Sequence, residues 1–350
     1  FSEKANRIIC STYISLGGVN MDILVNGYMY PFVDPQVLWA TLPNLSMLSM
    51  FTYGITAEGE LVQLNDEALI GPAKANGVVP LMVIAAMNKE GTFDSGLAGL
   101  VLNNPETRAK LIENILKNIQ TKGLGGVDFD FEFLFPKDRE AYASFVGETA
   151  QRLNPLGYMV AVALAPKTYA EQPGLLYEGH DYALMGQAAN LTLLMTYEWG
   201  YMFGPPMAVA PVNLVRKVLD FGVTQIPPSK ILMGIPNYGY DWTLPFVQGE
   251  SAAEKISNTE AVERAARVGA EIQYDQVAQA PFYRYFDASG REHEVWFENE
   301  ASIRAKLNLV AEYGLAGVSY WNLMDYFPGN WEALHSMFGV RKLGSPSDVF

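Results

Sequence analysis

Eight short apolar runs recur along the 350-residue chain, and longer stretches with helical patterns separate them. Many of the runs are nearly continuous in apolar residues, which is typical of strands buried on both faces of a parallel sheet. Eight strands alternating with helices predict a (β/α)8 TIM barrel rather than a doubly wound α/β sheet. The predicted strands comprise residues 23–30, 45–53, 78–87, 127–134, 159–165, 191–197, 231–238 and 316–323.

The stretches between these runs place apolar residues at helical spacing. Examples are residues 107–120, 138–153, 212–221 and 302–313.

One segment breaks the alternation, between the seventh and eighth strands. Residues 243–299 combine a helix pattern at 259–268 with a hairpin pattern, 281–286 against 293–297, turned at Ala288-Ser289-Gly290. We expect them to form a small α+β insertion on the upper rim of a barrel domain that comprises residues 21–350. Residues 1–20 do not fit the repeat and are predicted to be the remnant of a linker.

Composition and charge exclude several classes of protein. The formal net charge of -14 argues against nucleic-acid binding, and an acidic polymer would need local positive charge to bind. Cys10 is the only cysteine, so neither an internal disulfide nor a thiolate metal cluster can form. No apolar run reaches the ~18 residues that span a bilayer. The start at Phe1, without a signal-peptide pattern, favours a mature form or a fragment.

The fourth strand carries a row of acidic residues. Side chains alternate along a strand, so Asp128, Asp130 and Glu132 share one face at ~6.6 Å per pair, opposite Val127, Phe129 and Phe131. Crowded carboxylates cannot all ionise, so at least one pKa rises. Glu132 lies nearest the C-terminal mouth, where barrel enzymes place their chemistry, and a protonated Glu there suits a general acid.

The acidic row has two other interpretations. A solvated charged strand fits poorly with the aromatic and apolar neighbours. Three carboxylates also suit magnesium, but no nearby His or Lys supports an enolase-type site. A metal-dependent barrel enzyme therefore remains an alternative that a chelator would test.

The acidic row resembles the signature of glycoside hydrolase family 18, the chitinase family. The match is to Gly126, Asp128, Asp130 and Glu132, and Gly125 stands where the family has its leading Asp. In the family the last Glu is the acid and the middle Asp moves with the substrate. The missing leading Asp is not a proton donor.

Four further segments are similar to the family and end predicted strands in the family's order. The resemblance implies that Tyr197 binds the substrate's acetamido group and that Trp321 forms the floor of the sugar subsite. Strand three departs from the family, because residues 83–87 lack the Gly-Gly-Trp of many chitinases. The other substrate-binding positions implied by these segments are Tyr28, Glu198 (in place of an Asp), Asn237 and Tyr238.

The resemblance implies retaining, substrate-assisted hydrolysis of β-linked N-acetylglucosamine bonds, with no metal and no cofactor. Glu132 would protonate the leaving oxygen, Asp130 would hold the acetamido N–H, and Asp128 would share a proton with Asp130. Residues 195–208 resemble the branch of spore-cortex and cell-wall N-acetylglucosaminidases, whose members often carry LysM modules upstream.

This branch implies a secreted, cell-wall or spore-associated monomer acting on a polysaccharide that contains N-acetylglucosamine, such as peptidoglycan or chitin oligomers. A chitinase or endo-acting hydrolase, and a non-catalytic sugar-binding lectin on the same barrel, remain alternatives. Lectins of this kind usually lose the acid, whereas Glu132 and Asp130 are both present.

Overall fold

A computed structural model describes residues 21–88 and 91–349, so the predicted linker remnant lies outside the described residues. The strands are β1 (Asp22–Met29), β2 (Met47–Ile55), β3 (Leu61–Val62), β4 (Val79–Ile84), β5 (Gly126–Phe129), β6 (Met159–Leu164), β7 (Leu191–Leu194), β8 (Ile231–Pro236), β9 (Tyr238–Thr243), β10 (Glu254–Ser257), β11 (Gln273–Asp275), β12 (Ala280–Phe286), β13 (Glu292–Trp296), β14 (Gly317–Trp321) and β15 (Gly339–Val340).

Eight of these strands close into a parallel barrel, which confirms the predicted fold. β1 pairs in parallel with both β2 and β14, and the ring continues through β4, β5, β6, β7 and β8. The helices, most of which cover the outside of this ring, are α1 (Pro35–Thr41), α2 (Glu67–Ala75), α3 (Ser95–Leu102), α4 (Pro105–Lys122), α5 (Arg139–Leu153), α6 (Leu175–Glu178), α7 (Tyr182–Ala188), α8 (Val212–Gln225), α9 (Asn258–Val268), α10 (Glu300–Tyr313) and α11 (Pro328–Met337).

Several barrel strands are shorter than the sequence predicts: the third ends at Ile84 rather than at residue 87, and the eighth at Trp321 rather than at residue 323. Two further differences affect the acidic and aromatic site residues. The fourth barrel strand ends at Phe129 rather than at residue 134, and the sixth ends at Leu194 rather than at residue 197. Phe131 and Leu134 beyond the first end, and Met195 and Tyr197 beyond the second, are buried, so the apolar pattern extends past the strands. The backbone nevertheless bends there, and Phe133 and Glu198 have φ angles of 54° and 66°. The acidic and aromatic site residues of these segments therefore lie on rim loops.

The predicted α+β insertion is present and begins earlier than expected. Only Asn237 separates the end of β8 from the start of β9 at Tyr238. β9 pairs with β10 and β13 in a five-stranded antiparallel sheet. The order of this sheet is β10-β9-β13-β12-β11, and α9 packs against it. The sequence predicts that the insertion starts at residue 243, whereas residues 238–242 already belong to β9 of the second sheet, where they are buried.

Two glycines allow neighbouring barrel strands to approach each other. A Cβ atom on Gly317 would lie 1.8 Å from the carbonyl oxygen of Leu24, and one on Gly126 would lie 2.1 Å from that of Met159. Real Cβ atoms do not come so close to backbone, so only glycine fits unless a strand moves.

We expect Gly317→Ala to lower the free energy of unfolding by about 3 kcal/mol, the upper range for a side chain forced into a packed core. Gly147→Ala is the matched control. Gly147 lies within α5, and its Cβ would meet only the Cβ of Ala188, at 3.7 Å. This change should be neutral or stabilise by up to about 1 kcal/mol. Urea unfolding of both variants checks the prediction, and equal losses would contradict it.

No helix in residues 21–88 and 91–349 is long and apolar enough to cross a bilayer.

Candidate active site

The acidic row keeps its one-sided arrangement beyond the end of β5. On the helix side, Phe131 stacks on Tyr142 of α5 with ring centroids 5.3 Å apart, and Phe129 contacts Phe145 at 4.9 Å. The residues that alternate with these phenylalanines face the barrel interior instead, where Asp128 and Asp130 are both buried. The alternation predicted for a strand is therefore retained by a loop, because aromatic packing on α5 fixes its orientation.

Asp128 lies at the base of the row in a hydrogen-bond network. The Tyr28 hydroxyl donates to its Oδ2 at 2.6 Å, and the Ser49 hydroxyl donates to the same oxygen at 2.9 Å. Asn26 in turn donates to Ser49 and to Ser319. Burial raises the pKa of Asp128 to about 6, and the two hydroxyl donors oppose this rise. Tyr28, predicted to bind substrate, thus uses its hydroxyl to hold Asp128.

Asp130 and Glu132 form the outer part of the row. Burial raises the pKa of Asp130 well above its usual value, and the charges of Glu132 and Asp128 add to this. Among the described residues, no group donates a hydrogen bond to Asp130 Oδ1. Burial, followed by the charge of Glu198, raises the pKa of Glu132 to about 7. Near neutral pH the row therefore holds protons as well as negative charge.

A cavity of about 400 Å³ opens above the row, and both Asp130 and Glu132 lie in its wall. Tyr197 and Trp321 line it as well. Trp321, at the end of β14, packs edge-on against Phe51 with ring centroids 4.9 Å apart. An apolar floor beside two carboxyl groups with raised pKa is the arrangement that a sugar-cleaving site requires.

Glu198 and Tyr238 meet on another side of the cavity. Glu198 lines the cavity and accepts hydrogen bonds from the hydroxyl of Tyr238 and, at 3.0 Å, from that of Tyr240. Tyr238 is buried and is not among the lining residues. It was predicted to contact substrate; in the structure it positions Glu198.

Asn237 was also predicted to contact substrate, but its side chain forms hydrogen bonds with other parts of the protein. Its Nδ2 donates to the carbonyl oxygens of Asn322 at 3.1 Å and Asp325 at 3.0 Å. Its Oδ1 accepts from Asn330 at 2.7 Å. Asn237 is buried outside the cavity lining and holds the loop that follows Trp321.

Comparison with known proteins identifies the family. The model for "Glycosyl hydrolases family 18" matches residues 73–325, the segment that contains the acidic row and Trp321. The chain belongs to glycosyl hydrolases family 18. It is therefore a glycoside hydrolase.

The relatives include proteins from spore-forming bacteria. The "Cortical fragment-lytic enzyme" of Bacillus subtilis (strain 168) is 40% identical over 327 residues, which are 92% of this chain and 76% of that protein. The Bacillus megaterium QM B1551 spore cortex-lytic enzyme SleL superposes with a TM-score of 0.90 at 40% identity, covering 93% of this chain and 76% of that one. A chitinase from Chromobacterium violaceum ATCC 12472, at 24% identity and a TM-score of 0.81, shares the fold and covers 89% of this chain and 98% of its own.

The departure of this family member at Gly125 has a steric reason. A Cβ atom at position 125 would lie 2.1 Å from Cγ1 of Val79 and 3.1 Å from Cγ of Pro346. The C-terminal segment and β4 thus occupy the space that an Asp side chain would need. The remaining acidic residues of the row do not depend on it.

Three residues that shape this glycoside hydrolase site belong to no recognisable sequence pattern. Tyr240 and Lys255 line the cavity from the insertion. His180 is fully buried: its Nδ1 accepts from the N–H of Ala165 at 2.8 Å, and its Nε2 lies 2.8 Å from the carbonyl oxygen of Phe131. Burial lowers the pKa of His180 to about 4, so the neutral ring donates from Nε2 and holds the backbone between Asp130 and Glu132.

Within the part of the chain that the structure describes, no group of three or more His, Cys, Asp or Glu side chains could hold a metal ion.

The raised pKa of Glu132 predicts the alkaline limb of the pH profile. A general acid must carry its proton, so kcat/KM should fall as pH rises through about 7. Glu198→Gln removes a negative charge that raises the pKa of Glu132, so the limb should move to lower pH. Initial rates between pH 4 and pH 9 measure both effects. An alkaline limb that moves upward in Glu198→Gln would contradict this electrostatic coupling.

Proposed function

We propose that this glycoside hydrolase cleaves β-linked N-acetylglucosamine bonds in peptidoglycan of the spore cortex or cell wall, with retention of configuration and with the substrate's own acetamido group as nucleophile. One observation carries the proposal. Asp130 Oδ1 is buried without a hydrogen-bond donor among the described residues, two positions from Glu132 in the same cavity wall. A buried acceptor of this kind costs free energy unless a ligand satisfies it, and an acetamido N–H is such a donor.

The first chemical step follows from these positions. Glu132 gives its proton to the leaving oxygen as the glycosidic bond breaks. The acetamido carbonyl oxygen forms a bond to the anomeric carbon, which produces an oxazolinium ion. Asp130 accepts a hydrogen bond from the acetamido N–H and stabilises the positive charge that develops there. Tyr197 donates its hydroxyl to the acetamido carbonyl, and Trp321 stacks on the apolar face of the sugar.

The second step reverses these roles. The Glu132 carboxylate takes a proton from a water molecule, whose oxygen forms the new bond to the anomeric carbon. The oxazolinium ring opens, the acetamido group is restored, and the anomeric configuration of the substrate is retained. Asp128, held by Tyr28 and Ser49, shares a proton with Asp130 and so adjusts its charge through the cycle.

The names of the relatives favour peptidoglycan over chitin as the substrate, because the more similar ones are cortex-lytic enzymes. The same comparison supports a spore-associated location, and we propose secretion together with it. We further propose that the enzyme works as a monomer, since every residue assigned here to the reaction comes from one chain.

Parallel digestion of cortex peptidoglycan and of chitooligosaccharides, with mass analysis of the products, tests the substrate. We expect peptidoglycan fragments with N-acetylglucosamine at the new reducing end. Products from chitooligosaccharides alone would instead support a chitinase. Proton NMR of the first product tests the stereochemistry, and initial formation of the α-anomer would overturn the retaining mechanism.

A further inference from the structure

The cavity has an uneven distribution of charge. Asp130, Glu132 and Glu198 contribute carboxyl groups to its wall, and among the described lining residues Lys255 is the only cation. An anionic substrate would meet this wall in a chain whose formal net charge is already -14. Any carboxylate that binds here therefore needs a local positive partner.

Lys255 is placed to be that partner. It lies on β10, at the edge of the insertion sheet, and its Nζ is 4.0 Å from the centroid of the Tyr238 ring. The ring holds the ammonium group in place by a cation–π contact. Lys255 is exposed along its side chain, whereas burial near the cavity lowers the pKa of its ammonium group, and the charges of Glu198 and Asp325 oppose this shift. The amine therefore lies at the cavity wall in a fixed position.

Other cations of the insertion differ from Lys255 because they have carboxylate partners. Arg264 contacts Asp241 at 2.6 Å and Glu254 at 2.7 Å, and Arg284 contacts Glu294 at 2.6 Å. Across residues 21–88 and 91–349, no carboxylate forms an ion pair with Lys255 Nζ within 4.0 Å, and the charges of Glu198 and Asp325 act on it from beyond that distance. Its hydrogen-bonding capacity is therefore available to a ligand.

We propose that Lys255 is a specificity-determining residue that binds a carboxylate on one of the sugars flanking the scissile bond. The expected ligand is a carboxylated amino sugar, such as a muramyl residue whose lactyl carboxylate is free, rather than an uncharged chitin-type unit. This inference rests on the proposed function, because it assumes that a glycan with alternating amino sugars occupies the cavity. A carboxylate on a stem peptide has the same chemistry, so the experiment separates the two sources.

A structural role for Lys255 would have a different signature. Burial raises the pKa of Glu198, and the charge of Lys255 opposes this rise; burial, followed by the charge of Glu198, raises the pKa of Glu132. If Lys255 acted only through these electrostatic interactions, its replacement would change the pH profile and the rate for every substrate alike. A role in recognition would instead change KM for carboxylated substrates more than for neutral ones.

Lys255→Met keeps the aliphatic stem over Tyr238 and removes the charge. We compare three peptidoglycan fragments of equal length: one with a free lactyl carboxylate, one with its neutral methylamide, and one with an L-Ala-D-Glu stem. For the free lactyl fragment we expect kcat/KM to fall about tenfold relative to the methylamide, mostly through KM, as for the loss of one charge-assisted hydrogen bond. Lys255→Arg should retain most of the preference, and added salt should weaken it.

Lys217→Met is the matched control, because it removes the same unit charge from an exposed position on α8 that is not in the cavity lining. An equal fall for the free lactyl and methylamide fragments in Lys255→Met, or the same loss of preference in Lys217→Met, would overturn the proposal. A loss of preference confined to the stem-peptide fragment would also overturn it, because the carboxylate would then come from the peptide.

Binding of the same fragments to Glu132→Gln, with and without Lys255→Met, separates this inference from the proposed function. Calorimetry should show about tenfold tighter binding of the free lactyl fragment than of the methylamide only when Lys255 is present. If the wild-type enzyme cleaved none of the fragments but this difference remained, the proposed function would fail and the role of Lys255 would stand. Absence of the difference would overturn the role of Lys255 even if all fragments were cleaved.

Discussion

Glu132→Gln is expected to lower kcat roughly 10²- to 10⁴-fold, the usual contribution of a general acid. The amide has the same shape as the carboxyl group but cannot transfer a proton to the leaving oxygen. The variant should fold normally, because Glu132 lies on a loop that lines the cavity. The neighbouring Phe131, which is unchanged, packs against α5. Initial rates on a soluble substrate, together with circular dichroism, measure the two properties. Turnover near that of the wild type would contradict the assignment.

Glu263→Gln provides the control for this variant, because Glu263 is exposed on α9 in the insertion. The same chemical change there should leave the rate within about twofold.

A stability measurement on Glu132→Gln gives an independent check of its protonation. The pKa of Glu132 is raised from an ordinary 4.5 to about 7 in the folded chain. The folded state thus retains a proton that the unfolded state releases, so this group's contribution to stability is complete below pH 4.5 and is lost as pH rises through about 7. The variant removes this dependence. Relative to the wild type, it should gain stability between pH 4.5 and pH 8, as followed by urea midpoints.

A substrate whose 2-acetamido group is replaced by a hydroxyl should be cleaved roughly 10⁴-fold more slowly or not detectably, because the nucleophile would be absent. Positioned intramolecular groups reach effective molarities of about 10⁵–10⁸ M, so the loss of one has a large effect on the rate. Asp130 would also lose the N–H that satisfies its buried oxygen. Matched aryl chitobiosides and cellobiosides allow this comparison with one leaving group.

Aryl glycosides of the same sugar in which a thioacetamido group replaces the 2-acetamido group serve as the positive control. The sulfur atom provides a nucleophile in the place of the acetamido oxygen. Efficient hydrolysis of the plain glucoside would contradict attack by the substrate's acetamido group. An enzyme carboxylate acting as nucleophile or as base for a water molecule would then be needed, and Glu198 lies in the same cavity wall.

The barrel and the acidic row were predictable because both depend on local patterns. Apolar runs identify strands buried on two faces, and alternation in 126–132 separates the phenylalanines from the carboxyl groups whatever the exact end of the strand. The strand ends were less predictable, because rim segments such as 195–197 are buried as completely as the strands that they follow. The residues implied by the family resemblance include four that line the cavity beside the acidic row: Tyr28, Tyr197, Glu198 and Trp321.

The remaining features depend on distant contacts that no local pattern encodes. Asn237 follows a barrel strand, where a polar residue favours a ligand contact, but its amide is bound to a loop some 85 residues later. His180 is a single buried ring whose two partners lie on different strand ends. Lys255 reaches the cavity only because the insertion sheet folds back over the rim.

One residue, Asn237, separates the seventh barrel strand, β8, from the sheet that contributes Lys255 and Tyr240. The part of the cavity wall that the insertion supplies is therefore encoded by one contiguous stretch of the chain. Replacing residues 238–299 with the equivalent segment of a relative would exchange the glycan preference in a single graft, while the carboxyl groups that break the bond stay in place. In evolutionary terms, such an enzyme can acquire new substrates without altering its reaction.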